Sequence, residues 1–216
     1  MRKVFGAVFP IVSIFLLLWV EQGMHVSYIW KTGAKAVLFL VIPFLLFRAT
    51  RFAFLRFRET DRRSILIATG IGFSIMVAII GTFLLLKSSI DLDALIADLT
   101  LSGITRSVFP FIALYILFGN SMMEEFFFRG ILPDLFGGTR LRFLLPPLFF
   151  AIYHIAIFLP WFSPPILALA VAGLWAGGLI FQWANEKSRT ILPSWIIHLF
   201  ADFGILIIGV YVLYFY

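Results

Sequence analysis

The sequence predicts an all-α membrane protein, a polytopic bundle of seven to eight transmembrane helices around a polar intramembrane cavity. Three observations carry that expectation. Hydrophobic residues make up 62% of the 216-residue chain and charged ones only 13%, against roughly a quarter charged in soluble domains. Several apolar stretches approach the ~20 residues that a helix needs to cross a bilayer. No stretch alternates polar and apolar residues as the strands of a membrane barrel do.

Taken in order, the spans are expected at 4–20, 34–47, 64–86, 104–131, 143–159, 166–184 and 192–216. The basic start and apolar core of the first stretch resemble a signal peptide. Its apolar part is long and no small-x-small cleavage site follows, so a retained first helix is expected. The second span is short and contains Pro43, which leaves it tilted, re-entrant or longer than drawn. The last can be one helix or two pieces broken near Gly204, hence seven or eight. Between the third and fourth spans, IDLDALIADL has a helical apolar period and reads as an amphipathic surface helix. Gly173 and Gly177 form a GxxxG, the spacing that lets helices approach closely. No internal repeat or low-complexity linker divides the chain, so residues 1–216 read as a single transmembrane domain.

Seventeen basic residues against eleven acidic ones give a formal charge of +6. The cations sort into alternate loops: Arg2 and Lys3, then Arg48, Arg51, Arg56, Arg58, Arg62 and Arg63, then Arg140 and Arg142, then Lys187 and Arg189. That distribution fits loops facing anionic lipid rather than a nucleic-acid partner, and it predicts a cytoplasmic N-terminus. The absence of cysteine excludes disulfides, thiol catalysis and cysteine-ligated metals.

Ionisable residues inside spans are rare and mark function or a partner. The fourth span carries Glu124, Glu125 and Arg129 within SMMEEFFFRG, the fifth carries His154, and the seventh carries His198 and Asp202. Glu125 and Arg129 are four apart with the acid first, the favourable order for a structural ion pair. Glu124 points about 100° away around the helix, with Asn120 and Ser121 as neutral neighbours. It is therefore expected to have no cation, and a desolvated acid of that kind suits general acid–base work near neutral pH. Phe150 lies one turn before His154 and can pack on its ring. His198 and Asp202 share a face, so the carboxylate is expected to orient the imidazole. His25, beside an outer loop, is given no role. Glu124, His154 and His198 have comparable inferred depth and are expected to converge on one cavity in the cytoplasmic half of the bilayer.

Three motifs in order, E-E-x-x-x-R (Glu124, Glu125, Arg129), F-x-x-x-H (Phe150, His154) and H-x-x-x-[ND] (His198, Asp202), each on its own apolar span, resemble the CPBP family. Its members are the type II CAAX prenyl endopeptidases and bacteriocin-processing membrane proteins, also called the Abi family. The resemblance covers roughly residues 104–202. It implies an intramembrane endopeptidase in which Glu124 and His154 activate water while His198 and the residue at 202 stabilise the oxyanion. Where the type II CAAX members carry asparagine, this chain has Asp202. An ionised carboxylate only accepts hydrogen bonds, so Asp202 is expected to act through His198.

The resemblance implies a peptide substrate, lipid-modified or membrane-tethered in some members, and a prokaryotic plasma membrane is the expected setting. No cofactor is expected. The alternative is zinc on Glu124, His154 and His198, one acid and two imidazoles with an open fourth position. Two other readings use the same buried residues: a non-enzymatic immunity or binding protein, and a proton-coupled transporter.

Overall fold

The computed structural model describes residues 2–24, 26–47, 52–137 and 140–216. Among them are eight helices: α1 (Arg2–Gln22), α2 (Tyr28–Phe47), α3 (Arg62–Ser89), α4 (Leu92–Leu101), α5 (Phe109–Phe136), α6 (Leu141–Phe158), α7 (Pro164–Ser188) and α8 (Leu192–Phe215). All but α1 and α4 are long and apolar enough to cross a membrane, so six spans are present by length and composition. The apolar part of α1 is the shorter segment Ala7–Gln22. The chain is an integral membrane protein of helical type. His25, Arg48 and Arg51 lie outside the described residues.

Sequence explains where the helices start. Asp61 caps α3 by accepting from the backbone of Ser64 at 3.0 Å and from its hydroxyl at 2.6 Å, and Asp91 caps α4 through Ala94 at 2.9 Å. Both satisfy backbone donors that have no partner inside the helix. Proline occupies the first turn of α5, α7 and α8, where its missing N–H costs nothing. In α2 the interior Pro43 is preceded by a π-helical turn at Val37–Val41, a local widening of the kind that accommodates a lost backbone bond.

Three expectations are corrected. The second span begins at Tyr28 rather than at residue 34, which brings Lys31 inside it and moves Lys35 from its edge to about two turns in. The last span is not broken near Gly204: α8 runs helically through that position. The GxxxG glycines do not mediate close approach, because a Cβ added at Gly173 or Gly177 would meet nothing within 4 Å. The close contact is made by Gly178, where a Cβ would stand 2.9 Å from Pro147 Cβ and 3.4 Å from an Arg129 nitrogen.

Helix α8 packs along α3, and the crossing is tight on both sides. A Cβ at Gly72 would fall 2.7 Å from Phe200, and one at Gly204 3.3 Å from Met76. In lipid, such close packing supplies association that the hydrophobic effect cannot. The other half of the bundle is aromatic. Phe39, Phe127, Phe128 and Tyr153 are fully buried, with Phe39 stacked on Phe127 at 4.5 Å and edge-on to Phe128 at 5.1 Å. Aromatic pairs of this geometry contribute about 0.5–1.5 kcal/mol each beyond burial.

Helix α5 joins the two halves. Phe111, Leu114 and Phe118 in its first turns are exposed, whereas Phe126 to Pro133 are buried without interruption. Between these stretches sits a short α-helical piece, Ser121–Glu125, flanked by π-helical turns at Tyr115–Asn120 and Phe126–Ile131. The two carboxylates stand at that junction.

Candidate active site

The phenylalanines of SMMEEFFFRG build the dry wall, and the charges beside them are met by groups from other helices. Glu124, Glu125, Arg129 and His198 are all buried, at 1%, 0%, 4% and 4% exposure. An isolated charge in such surroundings would cost several kcal/mol. Each of these finds a counterpart.

Glu125 is held from two sides. Its Oε1 stands 3.2 Å from Arg129 Nη1, one turn along the same helix, and accepts from His198 Nδ1 of α8 at 2.8 Å. Arg129 is sandwiched by aromatic faces, with its guanidinium carbon 4.0 Å from the centre of the Phe150 ring and 4.8 Å from that of Phe181. Weak hydration and a planar face suit guanidinium to that slot. The small Gly178 leaves room for it.

With a proton committed at Nδ1, the His198 ring turns Nε2 toward two more acids. Glu124 Oε2 lies 3.7 Å away and Asp202 Oδ1 3.6 Å away. Three carboxylates therefore surround one imidazole. Asp202, expected to orient His198, stands at ion-pair distance from Nε2, longer than a hydrogen bond, and the hydrogen bond that fixes the ring is made by Glu125 at Nδ1.

The expectation that Glu124 has no cation is also corrected. Lys35 of α2 places its ammonium 3.1 Å from Glu124 Oε1. Asn120, one turn back on α5, donates to the same oxygen at 3.1 Å and accepts from Lys35 at 2.7 Å. Ser121 faces elsewhere, bonded to Leu117 O and receiving Trp195 Nε1 at 3.0 Å. Lys35 escapes a sequence reading because a span drawn from Ala34 starts one residue before it, where a lysine reads as a boundary.

His154 sits where α6 breaks, its Nδ1 2.7 Å from Phe150 O and its ring 4.5 Å from the Phe150 ring, edge to face. Its electrostatic neighbours include Glu124, Lys35 and His198. No ion pair joins it to Glu124, in contrast to His198.

The donors do not fit the zinc alternative. Among the described residues no three His, Cys, Asp or Glu side chains are grouped to hold a metal ion. The Lys35 ammonium also stands against the carboxylate that would have to be a ligand. A separate polar cleft of about 440 Å³ opens beside Arg129, walled by Arg142, Gln182, Asn185, Glu186 and Arg189 among others. Neither Glu124 nor a histidine lines it, so it is not the expected catalytic cavity.

The cluster can position a water-activating carboxylate beside an imidazole, shielded by aromatic rings. No curated protein and no solved structure gives a significant match to the chain. Residues 106–204 match the family model described as Type II CAAX prenyl endopeptidase Rce1-like, a stretch that contains Glu124, Glu125, Arg129, Phe150, His154, His198 and Asp202. Residues 106–204 thus form an Rce1-like type II CAAX prenyl endopeptidase domain, the domain of a family of proteases.

Proposed function

We propose that the protein is an intramembrane endopeptidase that cleaves a peptide at the membrane with a water activated by Glu124. The observation that carries the reading is the meeting of Glu124 Oε2 and His198 Nε2 at 3.7 Å, from two helices, in buried surroundings. A water held there has a carboxylate to take its proton. As water attacks the scissile carbonyl, one O–H bond breaks and the new C–O bond pushes the carbonyl pair onto oxygen. His198, fixed by Glu125, and His154 are the groups placed to stabilise that oxyanion and to pass a proton to the leaving amine. Positioned acid–base catalysis of this kind is worth roughly 10²–10⁴ in rate, and one oxyanion contact about 10²–10³.

In this reading the three groups share one water-accessible cavity, the whole chain acts as a single domain, and α1 is a seventh span. The N-terminus is cytoplasmic, on the side of the arginine-rich segment between α2 and α3, in the plasma membrane of a prokaryote. The substrate is a peptide, lipid-modified or membrane-tethered.

The deciding experiment is cleavage of a farnesylated Cys-aliphatic-aliphatic-X peptide by purified wild type and Glu124→Gln. Because Glu124→Gln also leaves the Lys35 ammonium without its counter-charge, folding is checked separately, and the folded variant should lose turnover by orders of magnitude. Undiminished cleavage by Glu124→Gln rejects the assignment. Thorough chelation should leave the wild-type rate intact, and loss that zinc restores would revive a metal-dependent enzyme.

A further inference from the structure

Lys35 lies outside the family-matched segment, and none of the three motifs includes it. Its side chain is 13% exposed and that of Glu124 2%, and the Tyr153 ring covers the ammonium from 4.9 Å. A cation so placed in a membrane helix is rare and tied to a partner. Here the partner is one oxygen of one carboxylate.

That selectivity matters. A carboxylate has two acceptor oxygens, and in Glu124 they are no longer equivalent. Oε1 meets Lys35 and Asn120, each at 3.1 Å. Oε2 is buried, accepts no hydrogen bond from the described residues, and faces His198. Lys35 and Asn120 are also bonded to each other at 2.7 Å, so α2 and α5 together make a closed three-membered clasp. One oxygen is anchored and the other is left free.

We propose that Lys35 is a positioning residue: with Asn120 it ties down Oε1, so that Oε2 is the oxygen that takes the proton from the attacking water. The proposal rests on the protease reading of Glu124. In the step, the proton moves from water to Oε2 while water oxygen bonds to the carbonyl carbon. A histidine of the site passes a proton to the leaving nitrogen as the C–N bond breaks and is replenished by the proton held on Oε2. Lys35 keeps its own protons throughout and touches neither water nor peptide.

A residue that merely joins α2 to α5 would affect stability and leave chemistry alone, so the test reads both. Lys35→Met and Lys35→Arg are purified as full-length protein and assayed on the farnesylated peptide. Lys35→Met should lower kcat by about 10²-fold, the cost of a small misplacement of a reacting group, with KM nearly unchanged. Lys35→Arg should recover part of it. Infrared difference spectra, taken without peptide, give the second readout. Glu124→Gln identifies the carboxylate stretches of Glu124, and Lys35→Met should shift them. Wild-type kcat in a folded Lys35→Met enzyme, or unshifted stretches, overturns the proposal. If wild type cleaves no peptide while Lys35→Met still shifts the band, the protease reading fails and the anchoring of Oε1 stands. Should Lys35→Met not fold, Lys35→Gln carries the same two readouts.

Discussion

His198 Nδ1 and Glu125 Oε1 are joined by a hydrogen bond of 2.8 Å that crosses from α8 to α5. The same oxygen faces Arg129. One carboxylate thus both neutralises a buried guanidinium and sets the tautomer and angle of a ring at the site. Stability and chemistry are coupled through Glu125, and variants can separate them.

Glu125→Gln keeps an acceptor for His198 but leaves Arg129 without its counter-charge. The expected cost is about 3–5 kcal/mol for a fully buried pair broken on one side, read as a lower unfolding temperature and lower folded yield. Glu125→Gln combined with Arg129→Met removes the orphaned charge and should be more stable than Glu125→Gln alone. A single variant as stable as wild type would show that Arg129 is balanced elsewhere.

At position 202 both substitutions should be mild. Since Glu125 holds the ring, Asp202→Asn and Asp202→Ala are each expected to keep kcat within about tenfold. A fall of ~10²–10³ for Ala with recovery in Asn would mean that the side chain contacts the oxyanion itself. Steady-state kinetics of the three proteins decide this.

Gly178→Ala should destabilise by about 1–3 kcal/mol, the usual cost of overpacking, because its methyl would press on Pro147 and the Arg129 guanidinium. Gly173→Ala and Gly177→Ala, which meet open space, should be neutral or slightly stabilising through helix propensity. Thermal unfolding of the three variants in detergent tests the ranking.

Asp61, in the connection before α3, has its carboxyl held below its ordinary value of 3.8 by the Ser64 hydroxyl and then by the Ser64 backbone N–H. A lowered folded-state value means that its contribution is fully present above pH 3.8 and is lost as pH falls through the lower, folded-state value. Asp61→Asn can still cap the helix but cannot titrate. The stability difference between wild type and this variant should therefore be flat at neutral pH and change only in acid. A difference that varied between about pH 6 and 8 would point to another group, histidine being the side chain that ordinarily titrates there.

The membrane helices and most of the site were legible because each depends on local spacing. Apolar length marked the spans, and i, i+4 spacing placed Glu125 with Arg129 and Asn120 with Glu124. What spacing along one helix cannot encode is which group arrives from the next. Asp202 is one turn from His198 and faces Nε2 at 3.6 Å, yet the ring's hydrogen bond is made at Nδ1 by Glu125 across the interface. Lys35 is hidden by a span boundary drawn at polar residues, although its helix continues to Tyr28. Gly173 and Gly177 have the right interval for close packing but meet no neighbour, while Gly178, one position on, faces Pro147.

The π-helical turn at Tyr115–Asn120 bears on how this helix tolerates changes in length. Such a turn takes in one residue more than an α-helical turn, so it absorbs an extra residue without rotating the side chains beyond it. Removing one residue from 115–120 lets the turn close to ordinary α geometry while Glu124 keeps its bearing. Removing one from Ser121–Glu125 instead turns the neighbouring side chains by about 100° and takes the carboxylates off Lys35 and His198. Related chains should accordingly show single-residue gaps in the former segment and none in the latter.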